Sequence, residues 1–574
     1  MTYYTGNEYI SLINIQEDLT INGLTFLSMG LNGNLFVDCK IHLKIFNKSG
    51  LINLKNSNFK LNNYWIPELF VNNHSPKEIK ITLLTPKEQR GFIYNIKGKY
   101  IYAELHFEYK NLFLNINTSH KLNPIYEIYQ NKWFNQAVFK FMCGNSLFCL
   151  AFDAGKNGDY KVNKNKIILS SKSNNEINFH IGIGPEDMGA ISSCIHFQRF
   201  GFEKFYNELT QWLSSNMTEY KNKNIERIYN TNLFFNYFFA NGKTMDTDDI
   251  VCVTSRSPEY YVSGAYWDRD TLLWSFPSIL MIDKKRAKEI LQYVFKVQGK
   301  NFGIHSRQIN GNILECGFEL DELCAPFIAL ESYIKITKDN SLLKKEYVQE
   351  ILNNIKDIFY KYKHNDYMLF KTELRPSDDM SCYPYNTYDN VLAWRAFLAL
   401  SYFYKIMKNN KKSEQWKQLS QVLKKDLKQF CIDKKNNVIS YEFDTFGNYL
   451  LYEEPPGSLR LLDYYGFIDK DLKNYYENTL KWSYSDNNSY FYKGFVSESG
   501  CSHAKFPWPL SAANSLFTEK YKRYGIDFFS KCKMDNYYAA ESIDKKNGFV
   551  KTGKAFATCA GFISYAIKLF FQNV

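Results

Sequence analysis

The stretch FEKFYNELTQWLSSNM, residues 202–217, marks the point at which the sequence changes character. Before it the chain consists of short alternating runs, and after it the apolar residues follow a helical period. Within it, four large apolar side chains fall on one side of a helix: Phe202, Phe205, Leu209 and Trp212. We therefore predict that residues 201–223 form a linker helix between two structurally different domains.

The first 200 residues contain short runs of alternating apolar and polar side chains, separated by Asn, Gly and Lys. Examples are LFVDCKIHLKIF (35–46), EIKITLLT (78–85) and EINFHIGIG (176–184). A period of two is typical of strands that bury one face, and the intervening residues are those found in turns. The pattern predicts an antiparallel β-sandwich domain over residues 1–200.

The remainder, residues 224–574, has the apolar spacing of helices, as in RAKEILQYVFKV (286–297) and NVLAWRAFLALSYFYKI (390–406). Loops rich in Gly, Pro, Asn and Asp separate roughly ten to twelve such segments. No fixed short repeat is present, which weighs against a solenoid. The number of segments fits an (α/α)6 barrel, in which outer and inner helices alternate and the functional loops lie at one end.

Composition and charge argue against several classes of partner. The net charge of +12 is spread along the chain, so we expect no nucleic-acid partner. The N-terminus lacks a signal-peptide pattern and no apolar run could span a bilayer, so we expect a cytoplasmic protein without a membrane partner. The twelve Cys fit reduced, mostly buried thiols, and the nine His include no HExxH, so we expect no metal or other cofactor. The oligomeric state is not indicated.

Clusters of acidic, aromatic and basic residues recur at loops and helix starts in the second half of the chain. Any one of these acids could cap a helix or interact with its dipole. Together they also supply what glycosidic hydrolysis needs, because one carboxylic acid must protonate the leaving oxygen while another carboxylate activates water. The clusters are WDRD (267–270), ELDELCAP (319–326), RPSDD (375–379), YEFDTFGNY (441–449), GCSH with WP (500–509) and AES (540–542).

The order of these motifs resembles glycoside hydrolase family 125, the metal-independent exo-α-mannosidases. The similarity is collinear over the whole helical half, and ELDELCAP and RPSDD are its more specific matches. WDRD is also similar to segments of helical-barrel glucoamylases. The resemblance implies an (α/α)6 barrel and a single displacement that inverts the anomeric centre without a metal.

Residue roles follow from the same resemblance. It implies that Asp379 is the general acid, with Asp378 as its orienting neighbour, and that Glu541 is the general base. Arg269 and Asp270 are implied to hold hydroxyls of the terminal sugar, which makes the enzyme exo-acting. The remaining substrate-binding candidates are Trp267, Glu319, Asp321, Asp378, Tyr441, Glu442, His503 and Trp508.

Two departures from the family keep other functions open. Ala540 stands before Glu541 where the family has His, and the N-terminal β domain is not part of the family's usual chain. The prediction is an enzyme that removes terminal α-linked mannose from oligosaccharides. The alternatives are a glucoamylase-like α-glucosidase, a disaccharide phosphorylase and a non-catalytic glycan-binding protein. The AES motif around Glu541 favours hydrolysis over phosphorolysis.

Overall fold

The computed structural model describes residues 2–47, 50–71, 79–144, 146–155 and 158–572. The chain divides into two compact units. The first unit comprises Met1–Glu219, Tyr237–Val251 and Ser255–Gly264, and the second comprises Tyr220–Asn236, Cys252–Thr254 and Ala265–Val574.

Among the described residues, the first unit contains two large antiparallel sheets. The nine-stranded sheet has the order β1-β2-β3-β4-β10-β16-β15, with β5 beside β4 and β11 beside β10. The eight-stranded sheet has the order β12-β13-β14-β17-β9-β8-β7-β6. The strands are β1 Tyr3–Gly6, β2 Ser11–Ile15, β3 Leu24–Ser28, β4 Gly33–Asn47, β5 Gly50–Leu51, β6 Asn58–Asn62, β7 Ile66–Val71, β8 Ile79–Leu84, β9 Gly91–Lys97, β10 Ile101–Asn115, β11 Ser119–Leu122, β12 Ile125–Asn131, β13 Gln136–Cys143, β14 Ser146–Asp153, β15 Asp159–Asn163, β16 Lys166–Ser173 and β17 Glu176–Gly184.

The two sheets share one apolar core because their strands alternate as the sequence predicts. In β4, for example, Val37, Cys39 and Ile41 are buried while Lys40 between them is exposed. Inward side chains of the two sheets meet in the core, where the rings of Phe107 and Phe139 lie 5.4 Å apart. The prediction of an antiparallel β domain is confirmed.

Two helices follow the sheets: α1 (Asp187–Phe200) and α2 (Phe202–Asn216). Helix α1 packs on β14 and β17, which explains why β17 is buried on both faces. Helix α2 buries Phe202, Phe205 and Leu209 as its spacing predicts, but its fourth buried residue is Leu213. Trp212, which was predicted for that face, is only partly buried. Helix α2 belongs to the first unit, and its linker role stays a prediction.

The second unit is helical, which confirms that part of the sequence prediction. Helices α6 and α8 are buried almost all round, with fourteen of 18 and fourteen of 20 residues buried, whereas α7 and α9 each bury only four. The helices therefore alternate between an inner and an outer layer. The bounds are α3 Lys223–Phe239, α4 Phe276–Ile282, α5 Lys284–Tyr293, α6 Leu320–Thr337, α7 Glu346–Lys361, α8 Thr387–Ile406, α9 Asn410–Phe430, α10 Lys473–Ser483, α11 Pro509–Ser515, α12 Lys522–Lys531 and α13 Ala557–Gln572.

Short strands and π-helical segments build the loops between these helices. A π-helical segment, Arg269–Ser275, leads into α4, and a second, Val294–Gln298, continues α5. Within the described ranges, no helix combines the length and the apolar character that crossing a membrane requires. The short strands are β18 Asn241–Lys243, β19 Ile250–Cys252, β20 Ile304–Arg307, β21 Ile313–Phe318, β22 Tyr385–Asn386, β23 Ile432–Asp433, β24 Val438–Ile439, β25 Glu442–Phe443, β26 Tyr449–Leu450, β27 Phe491–Tyr492, β28 Glu498–Ser499, β29 Ser542–Ile543 and β30 Val550–Thr552.

The core of the first unit predicts a large effect for Phe139→Ala. Phe139 is fully buried and its ring contacts those of Phe107, Tyr109 and Phe141, so truncation leaves a cavity. We expect the free energy of unfolding to fall by about 3–5 kcal/mol in chemical denaturation. Trp133→Ala is the control, since that side chain is 93% exposed and its removal should change stability little. Equal losses in the two variants would contradict the assigned core.

Candidate active site

The RPSDD segment forms a tight loop that turns back on itself. Arg375 N–H donates to the carbonyl of Asp379 at 2.7 Å, and Asp378 N–H donates to the carbonyl of Arg375 at 2.9 Å. An isolated β-bridge joins the flanking residues Leu374 and Met380. Asp378 closes the loop with a left-handed φ of 68°, a conformation that Asp tolerates better than most residues. The adjacent acids therefore leave the backbone in different directions.

The two acids of this loop have different partners. Asp378 Oδ1 accepts a hydrogen bond from Arg269 Nη2 at 2.7 Å. Asp379 Oδ2 accepts a hydrogen bond from the Ser502 hydroxyl at 2.6 Å, and its Oδ1 lies 3.4 Å from His503 Nδ1. The paired carboxylates thus belong to two separate networks, although they are neighbours in sequence.

Buried acids from other segments hold the rest of the loop. Arg375 Nε donates to Glu442 Oε1 at 2.6 Å, and the backbone N–H of Cys382 donates to Glu442 Oε2 at 2.8 Å. The N–H and hydroxyl of Ser377 both donate to the Glu454 carboxylate, at 3.2 and 2.8 Å. Burial raises the pKa of Glu454 to about 7. These anchors fix the loop, and with it the position of the acid at its end.

Arg269 lies at the centre of a group of buried carboxylates. Its Nη1 donates to Glu319 Oε2 at 2.6 Å and to Asp321 Oδ2 at 3.0 Å, while Nη2 binds Asp378. Glu319 and Asp321 lie at the start of α6, and both are fully buried. Burial raises the pKa of Glu319 above its usual value, and the positive charge of Arg269 acts against this shift.

A second buried guanidinium, that of Arg307, supports the first. Arg307 Nη2 binds Asp268 in a short contact and lies 3.4 Å from Glu322 Oε2. The Tyr266 hydroxyl donates to Asp268 at 2.6 Å, and Glu322 also accepts the backbone N–H of Arg269 at 3.1 Å. Two arginines therefore share the charge of several acids in a region closed to water.

His305 connects this cluster of charges with the ring of Trp267. Its Nδ1 forms a short hydrogen bond with Glu319 and lies 3.9 Å from Asp378, and its ring meets that of Trp267 edge-on at 5.6 Å. Burial lowers the pKa of His305, but the hydrogen bond and charge of Glu319 outweigh it and raise the pKa overall. Ligand atoms of His305, Glu319 and Asp378 lie within 4.8 Å of one another. A cation here would compete with Arg269, which binds both carboxylates.

Asp270 lies on the other side of Arg269. It accepts a hydrogen bond from the Thr558 hydroxyl at 2.7 Å, and Arg269 Nε lies 3.9 Å from its Oδ2. Burial raises the pKa of Asp270 to about 7, although Arg269 and Thr558 act to lower it. Near neutral pH its carboxyl group therefore exists partly in the protonated form, which can donate a hydrogen bond.

His503 lies between the carboxylates of Asp379 and Glu541. Its Nδ1 lies 3.4 Å from Asp379 Oδ1, and its Nε2 lies 3.7 Å from Glu541 Oε1. The Glu541 side chain is 5% exposed, and its backbone N–H donates to the carbonyl of Gly553. Residues 379 and 541 are far apart in sequence, yet the structure brings their carboxylates to opposite sides of one imidazole ring.

Three predicted sugar-binding residues are buried in this structure. Glu442 is fully buried and both of its carboxylate oxygens bind the RPSDD loop. Tyr441 is fully buried, and Trp508 is 3% exposed and donates its ring N–H to the carbonyl of Ala504 at 3.0 Å. Their part in sugar binding stays a prediction.

Sequence reasoning missed three side chains that the structure places at the site: His305, Ser502 and Thr558. Ser502 lies within the GCSH motif, so its position next to His503 was the available signal. His305 and Thr558 belong to a strand and a helix without any motif, and only the folded chain reveals their partners.

Comparison with known families tests the resemblance that the motifs suggest. Residues 360–567 match the model of the metal-independent alpha-mannosidases, glycoside hydrolase family 125. The resemblance inferred from the motifs is confirmed, and with it the prediction of a glycoside hydrolase. Four family 125 motifs lie inside the matched region, from RPSDD to AES, whereas WDRD and ELDELCAP precede it. No curated protein sequence matches the chain.

Solved structures show the same fold at low sequence identity. A Streptococcus pneumoniae family 125 α-mannosidase, in a non-productive complex with α-1,6-mannobiose, is 17% identical with a TM-score of 0.54, covering 64% of this chain and 98% of its own. A bacterial glucoamylase complexed with acarbose is 12% identical with a TM-score of 0.64, covering 99% and 94%. A putative kojibiose phosphorylase from the human microbiome is 13% identical with a TM-score of 0.61, covering 99% and 86%.

The raised pKa of Glu454 predicts a pH-dependent effect of Glu454→Gln. A buried carboxyl whose folded pKa is raised to about 7 stabilises the fold below its unfolded pKa of about 4.3, and this contribution is lost as pH rises to about 7. Gln does not titrate, so the melting temperature of the variant minus that of wild type should increase between about pH 5 and pH 7. A difference that stays constant or decreases would contradict the assignment.

Proposed function

We propose that the chain is an inverting, exo-acting α-mannosidase that removes terminal α-linked mannose from oligosaccharides. The proposal includes an (α/α)6 barrel, which the alternation of inner and outer helices supports. Its main support is the placement of Asp379 and Glu541 on opposite sides of the His503 ring. Because both carboxylates contact nitrogens of the same imidazole ring, their nearest oxygens are less than about 9.5 Å apart, which is the upper limit of the roughly 6.5–9.5 Å range of inverting enzymes.

In the proposed reaction, Asp379 protonates the leaving oxygen while Glu541 takes a proton from the attacking water. The Ser502 hydroxyl already donates to Asp379 Oδ2, so the transferable proton resides on Oδ1. Glu541 orients the water towards the opposite face of the anomeric carbon, and the configuration is inverted in one displacement. Neither step requires a metal.

In this proposal Arg269 acts indirectly, by positioning a carboxylate that contacts the sugar. Both of its terminal nitrogens bind carboxylates, and its side chain is only 2% exposed, so its role is to orient Asp378. The Asp378 side chain is 38% exposed and can accept a hydrogen bond from a sugar hydroxyl. Asp270 in its protonated form can donate one. Such fixed contacts hold the terminal sugar in the reactive geometry.

An α-glucosidase is the second candidate. The glucoamylase structure covers 99% of the chain, whereas the family 125 structure covers 64% of it. A glucosidase would keep both catalytic acids and differ only in its contacts to sugar hydroxyls, so substrate preference must distinguish the two candidates. The cytoplasmic location stays a prediction.

A panel of disaccharides tests the proposal. The enzyme is incubated with α-1,2-, α-1,3- and α-1,6-mannobiose, maltose, isomaltose and kojibiose, with and without a chelator, and free sugars are quantified. We expect mannose from at least one mannobiose, at a rate that the chelator does not change. Glucose release alone would replace the proposal by the glucosidase. Release of a sugar phosphate only when phosphate is added would indicate a phosphorylase, and no product at all would contradict any catalytic role.

The assigned acids predict the behaviour of Asp379→Asn and Glu541→Gln. Each should lower kcat by about a hundred- to ten-thousand-fold, because each removes one proton-transfer group. Asp486→Asn and Glu519→Gln are the matched controls, since both side chains lie at the surface. Melting temperatures should stay near wild type. If either active-site variant retained full activity, its role would be wrong, and an early melting transition would show that the acid is structural.

A further inference from the structure

The first unit contains a cavity of about 250 Å³ that the proposed reaction does not use. It lies among the ends of β14, β16 and β17, helix α1 and the first residues of α2. We refer to it as the His180 cavity. All of the residues that line it belong to the first unit, whereas the catalytic residues belong to the second.

The imidazole of His180 is oriented by a buried acid. His180 Nδ1 lies 2.7 Å from Asp153 Oδ2, and both side chains are almost fully buried. Gln198 Nε2 and the N–H of Gly155 also donate to this carboxylate, at 2.6 and 3.2 Å. Because Asp153 accepts hydrogen bonds, it favours a proton on Nδ1, and in the neutral ring Nε2 is then a hydrogen-bond acceptor.

Within the described part of the chain, no hydrogen bond reaches His180 Nε2. His180 is among the residues that line the cavity, so the hydroxyl group of a ligand there can donate to this nitrogen. The arrangement of Asp153, His180 and an open Nε2 therefore indicates a binding site rather than a closed structural pair.

The other lining groups define the class of ligand. Ser171, Asn178 and Gln198 present hydroxyl and amide groups, and Phe197 and Phe202 add apolar ring surface. The lining carries Lys172 and Glu176 as opposite charges, so it favours neither anions nor cations. Among the described residues, the His, Cys, Asp and Glu groups that could hold a metal ion lie in the second unit.

We propose that the His180 cavity binds one neutral sugar unit. Polar groups that both donate and accept, next to apolar rings, match the hydroxyls and the C–H faces of a sugar. The volume suits a single ring. One hydroxyl donates to His180 Nε2, and the serine and amide groups bind its neighbours. This site is separate from the proposed catalytic residues and gives the hydrolase a second contact with carbohydrate.

Ser171→Leu tests this proposal by filling the cavity. The full-length chain carrying Glu541→Gln, which prevents turnover, is titrated with methyl α-mannoside and methyl α-glucoside by calorimetry. We expect two binding events with at least one of these sugars, and the loss of one event when Ser171→Leu is added. Ser170→Leu is the matched control, because the preceding residue on β16 faces the opposite side of the sheet. It should leave both events unchanged.

His180→Phe provides a second variant, since it keeps a ring but removes the Nε2 acceptor, and it should abolish the same event. Melting temperatures confirm that each variant is folded. Turnover of α-1,6-mannobiose by Ser171→Leu, in the chain with Glu541 restored, should equal that of wild type. The proposal would be wrong if both variants bind sugar as the parent chain does. It would also be wrong if the parent chain shows a single binding event that Ser171→Leu does not affect. If the catalytic proposal fails, the event lost with Ser171→Leu should still be observed.

Discussion

The geometry of the candidate site depends on the buried guanidinium of Arg269. It binds Glu319, Asp321 and Asp378, which come from two segments more than 40 residues away along the chain. Removing charges from water costs several kcal/mol per ion unless each receives close and multiple hydrogen bonds. Arg269 meets this requirement together with Arg307, so the three segments cannot separate without exposing an uncompensated charge. A cluster of this kind constrains the structure even where its net contribution to stability is small.

This constraint explains how two adjacent aspartates acquire different partners. Arg269 draws Asp378 into the charge cluster, and the left-handed φ of that residue turns the backbone so that Asp379 faces Ser502 and His503. In the proposed mechanism Asp379 is the general acid and must contact the substrate. Arg269 binds Asp378, whereas Asp379 accepts a hydrogen bond from Ser502. Glu442 and Glu454 hold the loop from behind, so that Asp379 has a fixed position relative to Glu541.

The sequence predicted the two kinds of secondary structure because alternation and helical spacing are local properties of the chain. It also placed the motifs at loops and helix starts, as with ELDELCAP at the start of α6. It did not predict that α2 buries Leu213 instead of Trp212, since either position fits the same helical face. Nor could motif position distinguish Asp378, which has an exposed side chain, from Glu442, which is enclosed. That distinction depends on how distant segments approach one another. The His180–Asp153 pair carries no motif and becomes visible only in the folded sheets.

The central claim is that Asp379 and Glu541 act from opposite sides of one sugar in a single displacement. Proton NMR of the sugar released from an α-mannoside, recorded before the anomers equilibrate, tests it most directly. The account predicts β-mannose as the first product of the wild-type enzyme. Initial release of α-mannose would show retention, and would contradict the assignment of the two carboxylates as an inverting acid and base.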